Sequence, residues 1–411
     1  PAPSWLLAVA LGALPFTAIY LWSELAPFAG HAMDRGQILG RDFINIWSSA
    51  RLLLEGRLAD VFVPARYTAA LGRLWGPGLG GHSFSYPPSL FPLTVWAGPL
   101  DYRAALALWS LGCLALLALA LRPAWRQPLL VLAALTSPAV ACCLEAGQTG
   151  CLVSGLVFLG LRLADRRPWL AGALIGLAAV KPQLLLLVPV ALLAAQRWRV
   201  IAGAAAGAIA AAALGALIAG PEAWRLYLSD TAPYQGQLLL HSTGFWKSMT
   251  PSPFVAALTA GAPLGLAAAL QGLILAVCAG AVAWRFRALH AARRPIASLD
   301  ILLLAAAVFV ATPYSFNYDM PLLALALAAA AADGWRPGPV GGLGAALLWL
   351  APILLPPVLL RPLGVTLPDE AWSHWPILAI LCTLGVVGIW ASIAIPGRRA
   401  SHAVPAARTS P

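Results

Sequence analysis

The chain alternates between long apolar runs and short polar segments, and the runs 201–219 and 341–360 contain no charged residue. About 20 consecutive apolar residues are enough to cross the hydrocarbon core of a bilayer. Because lipid offers no hydrogen-bond partner, such runs must be helices that satisfy their own backbone groups. The pattern predicts twelve spans, at 4–23, 101–121 (the one crossing within 88–121), 128–142, 150–162, 168–180, 182–196, 199–219, 263–284, 298–312, 319–332, 340–360 and 374–395.

Composition agrees with this pattern. Hydrophobic residues make up 61% of the 411 residues and charged residues only 10%, whereas a soluble domain carries about a quarter charged residues. The formal net charge of +11 would fit a nucleic-acid-binding protein. The positive charges, however, lie in short clusters between apolar runs, which is typical of cytoplasmic loops of membrane proteins.

The distribution of charge also predicts the orientation. One set of alternate loops and the C-terminal tail hold 15 of the 26 basic residues and three of the 15 acidic residues. The basic-loop rule places that set in the cytoplasm, with both termini. We therefore expect one integral membrane domain over 1–411, with external loops at 23–87 and 220–262 and a cytoplasmic tail at 396–411.

The first external loop is predicted to contain two helices. Apolar residues recur at helical spacing over 43–54, Asp42 precedes them at the N-cap position, and Gly56 stands where the helix should end. A second helix is expected over 65–74. We expect both to lie at the outer membrane surface.

Asp42 is the first candidate for chemistry, since a carboxylate near the membrane surface can take a proton from a hydroxyl nucleophile as a general base. The alternative is that Asp42 only caps the helix. Glu145 is an alternative acid, because an acid at membrane depth is costly and suggests function. Beside it, Gln148 offers both a donor and an acceptor, and Gly147 and Gly150 permit close backbone approach.

Lys181 is the candidate for phosphate binding, since it stands alone between two apolar runs and is followed by a helix-breaking proline. Its alternative is a lysine that reaches the membrane interface. Spans that end near Glu145, Lys181 and Pro313 are expected to stop below the surface and leave a cavity. The remaining candidates for binding a sugar or its phosphate are Arg41, Tyr86, His241, Lys247, Tyr314 and Asp319.

Several motifs are absent from the sequence. It contains no P-loop, no HExxH, no GxSxG, no Asp-x-Asp pair and no CxxC or Cys/His metal spacing. Nucleotide hydrolysis, zinc proteolysis and serine hydrolysis are therefore not indicated, and we expect neither a metal nor another cofactor.

An ordered set of short motifs between residues 40 and 320 resembles glycosyltransferase family 87, of the membrane-embedded GT-C class. The motifs are Asp42-Phe43 with Trp47, Ala50-Arg51, Glu55-Gly56, Phe84-Ser85-Tyr86-Pro87-Pro88, Gly147-Gln148, Ala171-Gly172, Gly176-Leu177, Lys181-Pro182-Gln183, Arg197-Trp198-Arg199, Thr312-Pro313-Tyr314 and Tyr318-Asp319.

The resemblance implies a GT-C-type fold with about twelve transmembrane helices, in the inner (plasma) membrane of a bacterium. It implies an inverting transfer of a monosaccharide, mannose first, from a polyprenyl-phosphate carrier to a lipid or glycan acceptor on the outer side. The position that matches the family's catalytic acid is Asp42. Two alternatives remain: a multi-span transporter or sugar-lipid flippase without transfer chemistry, and a non-catalytic scaffold.

Overall fold

The computed structural model describes residues 4–28, 33–34, 37–76, 79, 81–241, 244–355 and 376–394. It is mostly helical (78%), as the sequence predicts. The α-helices are α1 Ser4–Leu25, α2 Phe43–Leu54, α3 Leu58–Phe62, α4 Pro64–Trp75, α5 Phe91–Thr94, α6 Tyr102–Ala120, α7 Pro128–Leu135, α8 Pro138–Glu145, α9 Gly150–Leu163, α10 Pro168–Leu177, α11 Val188–Ala194, α12 Trp198–Ala219, α13 Glu222–Leu226, α14 Ala232–His241, α15 Phe245–Ser248, α16 Pro253–Thr259, α17 Leu264–Ala291, α18 Ser298–Ala311, α19 Pro321–Ala332, α20 Pro339–Leu350 and α21 Ile377–Ala394.

Short elements join these helices. A two-residue antiparallel hairpin, Met33–Asp34 with Gln37–Ile38, lies in the first loop. A π-helical turn, Tyr227–Thr231, separates α13 from α14. The 3-10 turns are Ala26–Phe28, Pro88–Leu90, Val95–Ala97, Arg122–Ala124, Ala178–Val180, Pro182–Leu185 and Asn317–Asp319.

In the part of the chain that the structure describes, four helices are long and apolar enough to cross a membrane: α1, α6, α12 and α17. The pair α7 and α8 makes a fifth if its 43° bend lies within one span. The other seven predicted spans correspond to apolar helices of 10–17 residues. The chain is therefore an integral membrane protein, and the count of twelve spans stays a prediction.

The short helices have a physical explanation. Nearly every side chain of α18 and α19 is buried in the protein, so these helices contact other helices and need not match the bilayer thickness. Prolines begin or interrupt others, as at Pro138 and Pro182. The predicted span 340–360 is shorter in the structure, where α20 ends at Leu350, and its residues 356–360 lie outside the described residues, as does the tail 396–411.

The three acidic residues assigned to the basic side all pair with arginines from other helices or loops. Asp165 lies 2.6 Å from Arg197, Asp333 lies 3.3 Å from Arg162, and Asp300 lies 2.7 Å from Arg285. The pairs Asp165–Arg197 and Asp333–Arg162 therefore bring different predicted loops together at one end of the molecule. Which side of the membrane this end faces stays a prediction.

The two helices predicted in the first external loop are present as α2 and α4, and Gly56 adopts a left-handed φ of 72° just after α2. Eight of the 12 residues of α2 are buried, and Trp47 donates its indole hydrogen to the carbonyl of Leu100 at 3.0 Å. Protein thus encloses most of α2. Its position at the membrane surface stays a prediction.

Candidate active site

A cavity of about 740 Å³ is lined by residues from widely separated parts of the sequence. It brings together eight of the ten residues that the sequence suggests for catalysis or binding. Those lining the cavity are Arg41, Asp42, Tyr86, Glu145, Gln148, Lys181, Tyr314 and Asp319.

Close backbone contact places Asp42 in this cavity. The chain turns before α2 through Gly40 and Arg41, with φ of 72° and 28°. The amide of Asp42 then donates to the carbonyl of Ala146 at 2.9 Å. A Cβ on Gly147 would overlap Phe43 and lie 2.9 Å from the carbonyl oxygen of Gly40. The loop after α8 therefore has to carry glycine where it meets the start of α2.

A second close contact joins the same loop to the segment before α19. A Cβ on Gly150 would overlap the carbonyl oxygen of Tyr318 and lie 3.1 Å from Cα of Asp319. The prediction that Gly147 and Gly150 permit close backbone approach is thus confirmed: Gly147 contacts the start of α2, and Gly150 contacts the segment before α19. Together these contacts bring Asp42, Gln148 and Asp319 into one cavity.

The Asp42 side chain faces the cavity and not the helix. Its Oδ2 accepts a hydrogen bond from Nε2 of Gln148 at 2.9 Å and lies 3.6 Å from Nη2 of Arg41. Asp42 does occupy the N-cap position of α2, but among the described residues its side chain makes no capping hydrogen bond. The reading of Asp42 as only a helix cap is therefore wrong for its carboxylate.

Gln148 links Asp42 to Lys181. Its Oε1 accepts hydrogen bonds from the Tyr86 hydroxyl at 2.5 Å and from Nζ of Lys181 at 3.1 Å. Lys181 also donates to Oδ1 of Asp319 at 2.6 Å. The side chains of Lys181 and Asp319 are only 8% and 1% exposed. Lys181 is therefore a paired, enclosed cation, and the alternative of a lysine that reaches the membrane interface is wrong.

Glu145 forms a second acidic corner of the cavity. Its Oε2 accepts a hydrogen bond from the Tyr20 hydroxyl at 2.7 Å and lies 3.9 Å from Nη1 of Arg41. Arg41 thus lies between two carboxylates, at distances that leave its N–H groups without a hydrogen bond to either. Sequence reasoning missed Tyr20, because it lies inside an apolar span and 125 positions from Glu145.

Aromatic rings form another part of the cavity wall. The Tyr314 hydroxyl donates to Oε1 of Gln235 at 2.8 Å, and the ring centroid of Trp246 lies 6.3 Å from that of Tyr314 and 5.1 Å from that of Phe316. Flat apolar faces beside polar groups suit a sugar ring, which presents C–H groups on its faces and hydroxyls around its edge.

Two candidates lie elsewhere. His241 is exposed at the end of α14, and neither it nor Lys247 lines the cavity. His82, which sequence reasoning missed, does line it. Burial lowers the pKa of His82 below its usual value, although the negative charge of Asp42 acts in the opposite direction. The polar stretch just before Tyr86 is the sequence signal that could have found it.

No group of three or more His, Cys, Asp or Glu side chains among the described residues is placed to hold a metal ion. The polar groups of the cavity are instead mixed in sign, with Arg41 and Lys181 set among Asp42, Glu145 and Asp319. Such a set can bind an anionic group next to a carboxylate that accepts a proton.

Comparison with known proteins agrees with the resemblance seen in the sequence. The model of glycosyltransferase family 87 matches residues 84–313, more than half of the chain. The matched region contains Tyr86, Gln148 and Lys181, while Asp42 and Asp319 lie outside it. No curated protein and no solved structure matches the chain significantly. On this match, the chain belongs to glycosyltransferase family 87, and it is a membrane glycosyltransferase.

Proposed function

We propose that this glycosyltransferase moves one monosaccharide, mannose in the first instance, from a polyprenyl-phosphate carrier to a hydroxyl of a lipid or glycan acceptor. The transfer inverts the anomeric centre and takes place on the extracytoplasmic side of a bacterial inner membrane. Asp42 is the general base.

The accessibility of Asp42 carries this proposal. Its side chain is 22% exposed in the cavity, whereas those of Glu145 and Asp319 are 6% and 1% exposed. Each of the three accepts a hydrogen bond, Asp42 from Gln148, Glu145 from Tyr20 and Asp319 from Lys181, so exposure is what separates them. Of the three acids that the sequence suggested, Asp42 is the one that an acceptor hydroxyl can reach.

The reaction needs one carboxylate. The acceptor oxygen attacks the anomeric carbon and forms the new glycosidic bond while its proton passes to Asp42. The bond from the anomeric carbon to the phosphate oxygen breaks, and the polyprenyl phosphate leaves as an anion with the electron pair. Since this leaving group needs no proton, no second acid is required, unlike the usual pair in glycoside hydrolysis.

Arg41 and Lys181 are the proposed ligands of the donor phosphate. Lys181 has three N–H donors, and Gln148 and Asp319 use two of them. Among the described residues, the carboxylate oxygens that pair with the Arg41 guanidinium lie 3.6 and 3.9 Å away, so its donors are not used by these acids. Both cations can therefore hydrogen-bond to a phosphate and stabilise the charge that grows on it as the sugar leaves.

The predicted orientation determines the kind of donor. Asp42 and Tyr314 come from segments assigned to the outer side, and both termini are assigned to the cytoplasm. Nucleotide sugars are made in the cytoplasm and are too polar to cross lipid unaided. A sugar used on the outer side therefore has to arrive on a carrier that can be flipped, and a prenyl phosphate is such a carrier.

The test is transfer of radiolabelled sugar to a lipid extract of the native host by the purified full-length protein. We expect transfer from a polyprenyl-phosphate mannose with EDTA present and none from GDP-mannose or UDP-glucose. The protein carrying Asp42→Asn serves as the inactive control. Transfer from a nucleotide sugar alone would refute the mechanism. Absence of transfer from every donor, with movement of sugar-lipid across liposomes, would favour the flippase.

A further inference from the structure

A cluster of arginines lies in the first loop outside the cavity, around the carboxylate of Asp60. Oδ2 of Asp60 accepts from Nη2 of Arg57 at 2.6 Å and from Nη2 of Arg73 at 3.2 Å. Its Oδ1 accepts from Nε of Arg66 at 2.8 Å. We call Arg57, Arg66 and Arg73 with Asp60 the arginine cluster.

The charges of this cluster are unbalanced. Three guanidiniums meet one carboxylate, and the neighbouring Glu55 pairs with Arg57 and also with Arg51. The side chain of Asp60 is only 9% exposed, whereas those of Arg66 and Arg73 are 59% and 56% exposed. Burial alone would raise the pKa of Asp60, but hydrogen bonds from Arg66 and Arg57 outweigh it and lower the pKa. Asp60 is therefore ionised at neutral pH.

Stability accounts for one of these arginines and not for three. The buried carboxylate of Asp60 needs a cation, and Arg57 supplies one through two hydrogen bonds. The pairs made by the exposed Arg66 and Arg73 contribute little, about 0–1 kcal/mol each, and the three like charges repel one another. The arrangement orders the arginines before a ligand binds. One buried carboxylate aligns three long side chains, so their conformational entropy does not have to be lost on binding. Arg66 and Arg73 lie two turns apart on the same face of α4.

An aromatic cluster joins the end of α4 to the start of the candidate span α6. Trp75, the last residue of α4, has its ring centroid 4.9 Å from that of Tyr102 and 5.3 Å from that of Trp47. Tyr102 begins the candidate span α6, and aromatic rings at the ends of spans mark the membrane interface. Arg73 comes two residues before Trp75, roughly 3 Å along the helix axis. On the predicted topology, Arg73 therefore lies close to the lipid headgroups. Arg66 is nine residues before Trp75, roughly 13 Å along the axis, and lies farther from these rings.

We propose that the arginine cluster is a binding site for a phosphate group in an anionic phosphodiester, held in the headgroup layer beside the cavity. Guanidinium groups match phosphate oxygens in two-pronged hydrogen bonds. Asp60 uses only one nitrogen of Arg66 and one of Arg73, so both side chains keep donors for the ligand. The same chemistry fits two sources, a membrane lipid and a soluble phosphate ester.

The test uses the full-length protein in dodecyl maltoside micelles, titrated with fluorescent phosphatidylglycerol. The double variant Arg66→Gln/Arg73→Gln should weaken binding by roughly 5-fold or more, since each basic side chain near a membrane surface contributes about that factor. Arg225→Gln is the matched control, because Arg225 is an exposed arginine of the second external loop that pairs with its own neighbour Glu222. It should leave the affinity unchanged.

Further arms define the ligand. Fluorescent phosphatidylcholine, which carries no net charge, should bind equally to all variants. Competition by glycerophosphoglycerol, the soluble phosphodiester headgroup of phosphatidylglycerol, at concentrations similar to that of the lipid would assign the site to a soluble ester, and failure to compete would assign it to lipid. Asp60→Asn should weaken binding, although it removes a negative charge, because the arginines lose their alignment. Unchanged binding in the double variant, or an equal loss in Arg225→Gln, would overturn the proposal.

Discussion

Nε2 of Gln148 lies 2.9 Å from Oδ2 of Asp42, and Oε1 of the same amide lies 3.1 Å from Nζ of Lys181. The two residues proposed for proton transfer and phosphate binding are thus joined through one neutral side chain. An amide can do this because it carries a donor and an acceptor that point in different directions within one plane. A carboxylate at position 148 would repel Asp42, and an apolar residue would join neither.

Asp42→Asn should lower the transfer rate by about 100- to 10,000-fold, the usual contribution of a general base. The melting temperature should stay unchanged, because the Asp42 side chain does not cap α2. The matched control is Asp101→Ala, since Asp101 does cap α6 through hydrogen bonds from the amides of Arg103 and Ala104. That variant should lose about 1 kcal/mol of stability and keep its transfer rate. Near-normal turnover by Asp42→Asn would direct attention to Glu145.

Gln148→Leu should reduce kcat by about 10- to 100-fold, because a misplaced reacting group costs that much. Part of the effect should depend on Asp42: adding Gln148→Leu to Asp42→Asn should slow the reaction less than it slows the parent, since only the contact with Lys181 remains to be lost. Steady-state kinetics of the four proteins give the answer. Fully additive losses would mean that Gln148 acts independently of Asp42.

Lys181→Met should lower stability by about 3–5 kcal/mol, because it leaves the buried carboxylate of Asp319 without its cation. Adding Asp319→Asn should restore most of this loss, since both charges are then gone. Thermal unfolding of the single and double variants measures both the loss of stability and its recovery. The restored double variant should still need about tenfold more lipid-phosphate donor for half-maximal rate, as it lacks one charged hydrogen bond. A normal KM for the donor would remove Lys181 from phosphate binding.

Gly150→Ala should prevent correct folding, because the new methyl group would overlap the backbone of Tyr318. Gly112→Ala is the control within α6, where the structure shows no neighbouring atom within 4 Å of the added carbon. Size-exclusion profiles and melting temperatures of the two proteins should differ strongly, with Gly112→Ala at or above the parent value. Equal melting temperatures would mean that the two segments are less tightly packed than described.

The orientation is tested with single cysteines at exposed positions. The six native cysteines are all buried, so they should react little with a membrane-impermeant maleimide. Ser229→Cys should be labelled in intact cells, and Arg166→Cys only after the membrane is opened. The reverse pattern would invert the predicted topology and place Asp42 in the cytoplasm.

Local sequence signals were enough for several elements of the fold. The helix predicted at 65–74 is α4, Pro64–Trp75, because its apolar spacing and the glycine that follows are both local. The lengths of α18 and α19 could not be predicted in the same way. They depend on burial by other helices, which hydropathy along the chain does not record.

The candidate site shows the same division. Asp42, Gln148 and Lys181 stand out locally: Asp42 begins a predicted helix, Gln148 lies in a polar turn between two apolar runs, and Lys181 stands alone between two others. Their contacts do not, because the bond between Tyr20 and Glu145 joins positions 125 apart. His241 looked suitable by residue type alone, but the direction of α14 leaves it exposed and off the cavity. Residues of a suitable chemical type could be identified from the sequence, but their positions relative to one another could not.

The ion pair between Lys181 and Asp319 has a consequence for biosynthesis. Lys181 precedes its partner by 138 positions, and several apolar segments are made and inserted in between. Until Asp319 leaves the ribosome, a chain in its final arrangement would hold an enclosed, uncompensated cation, which is costly. The first six predicted spans should therefore remain loosely associated until α18 and α19 arrive, and the cavity should close only late in synthesis.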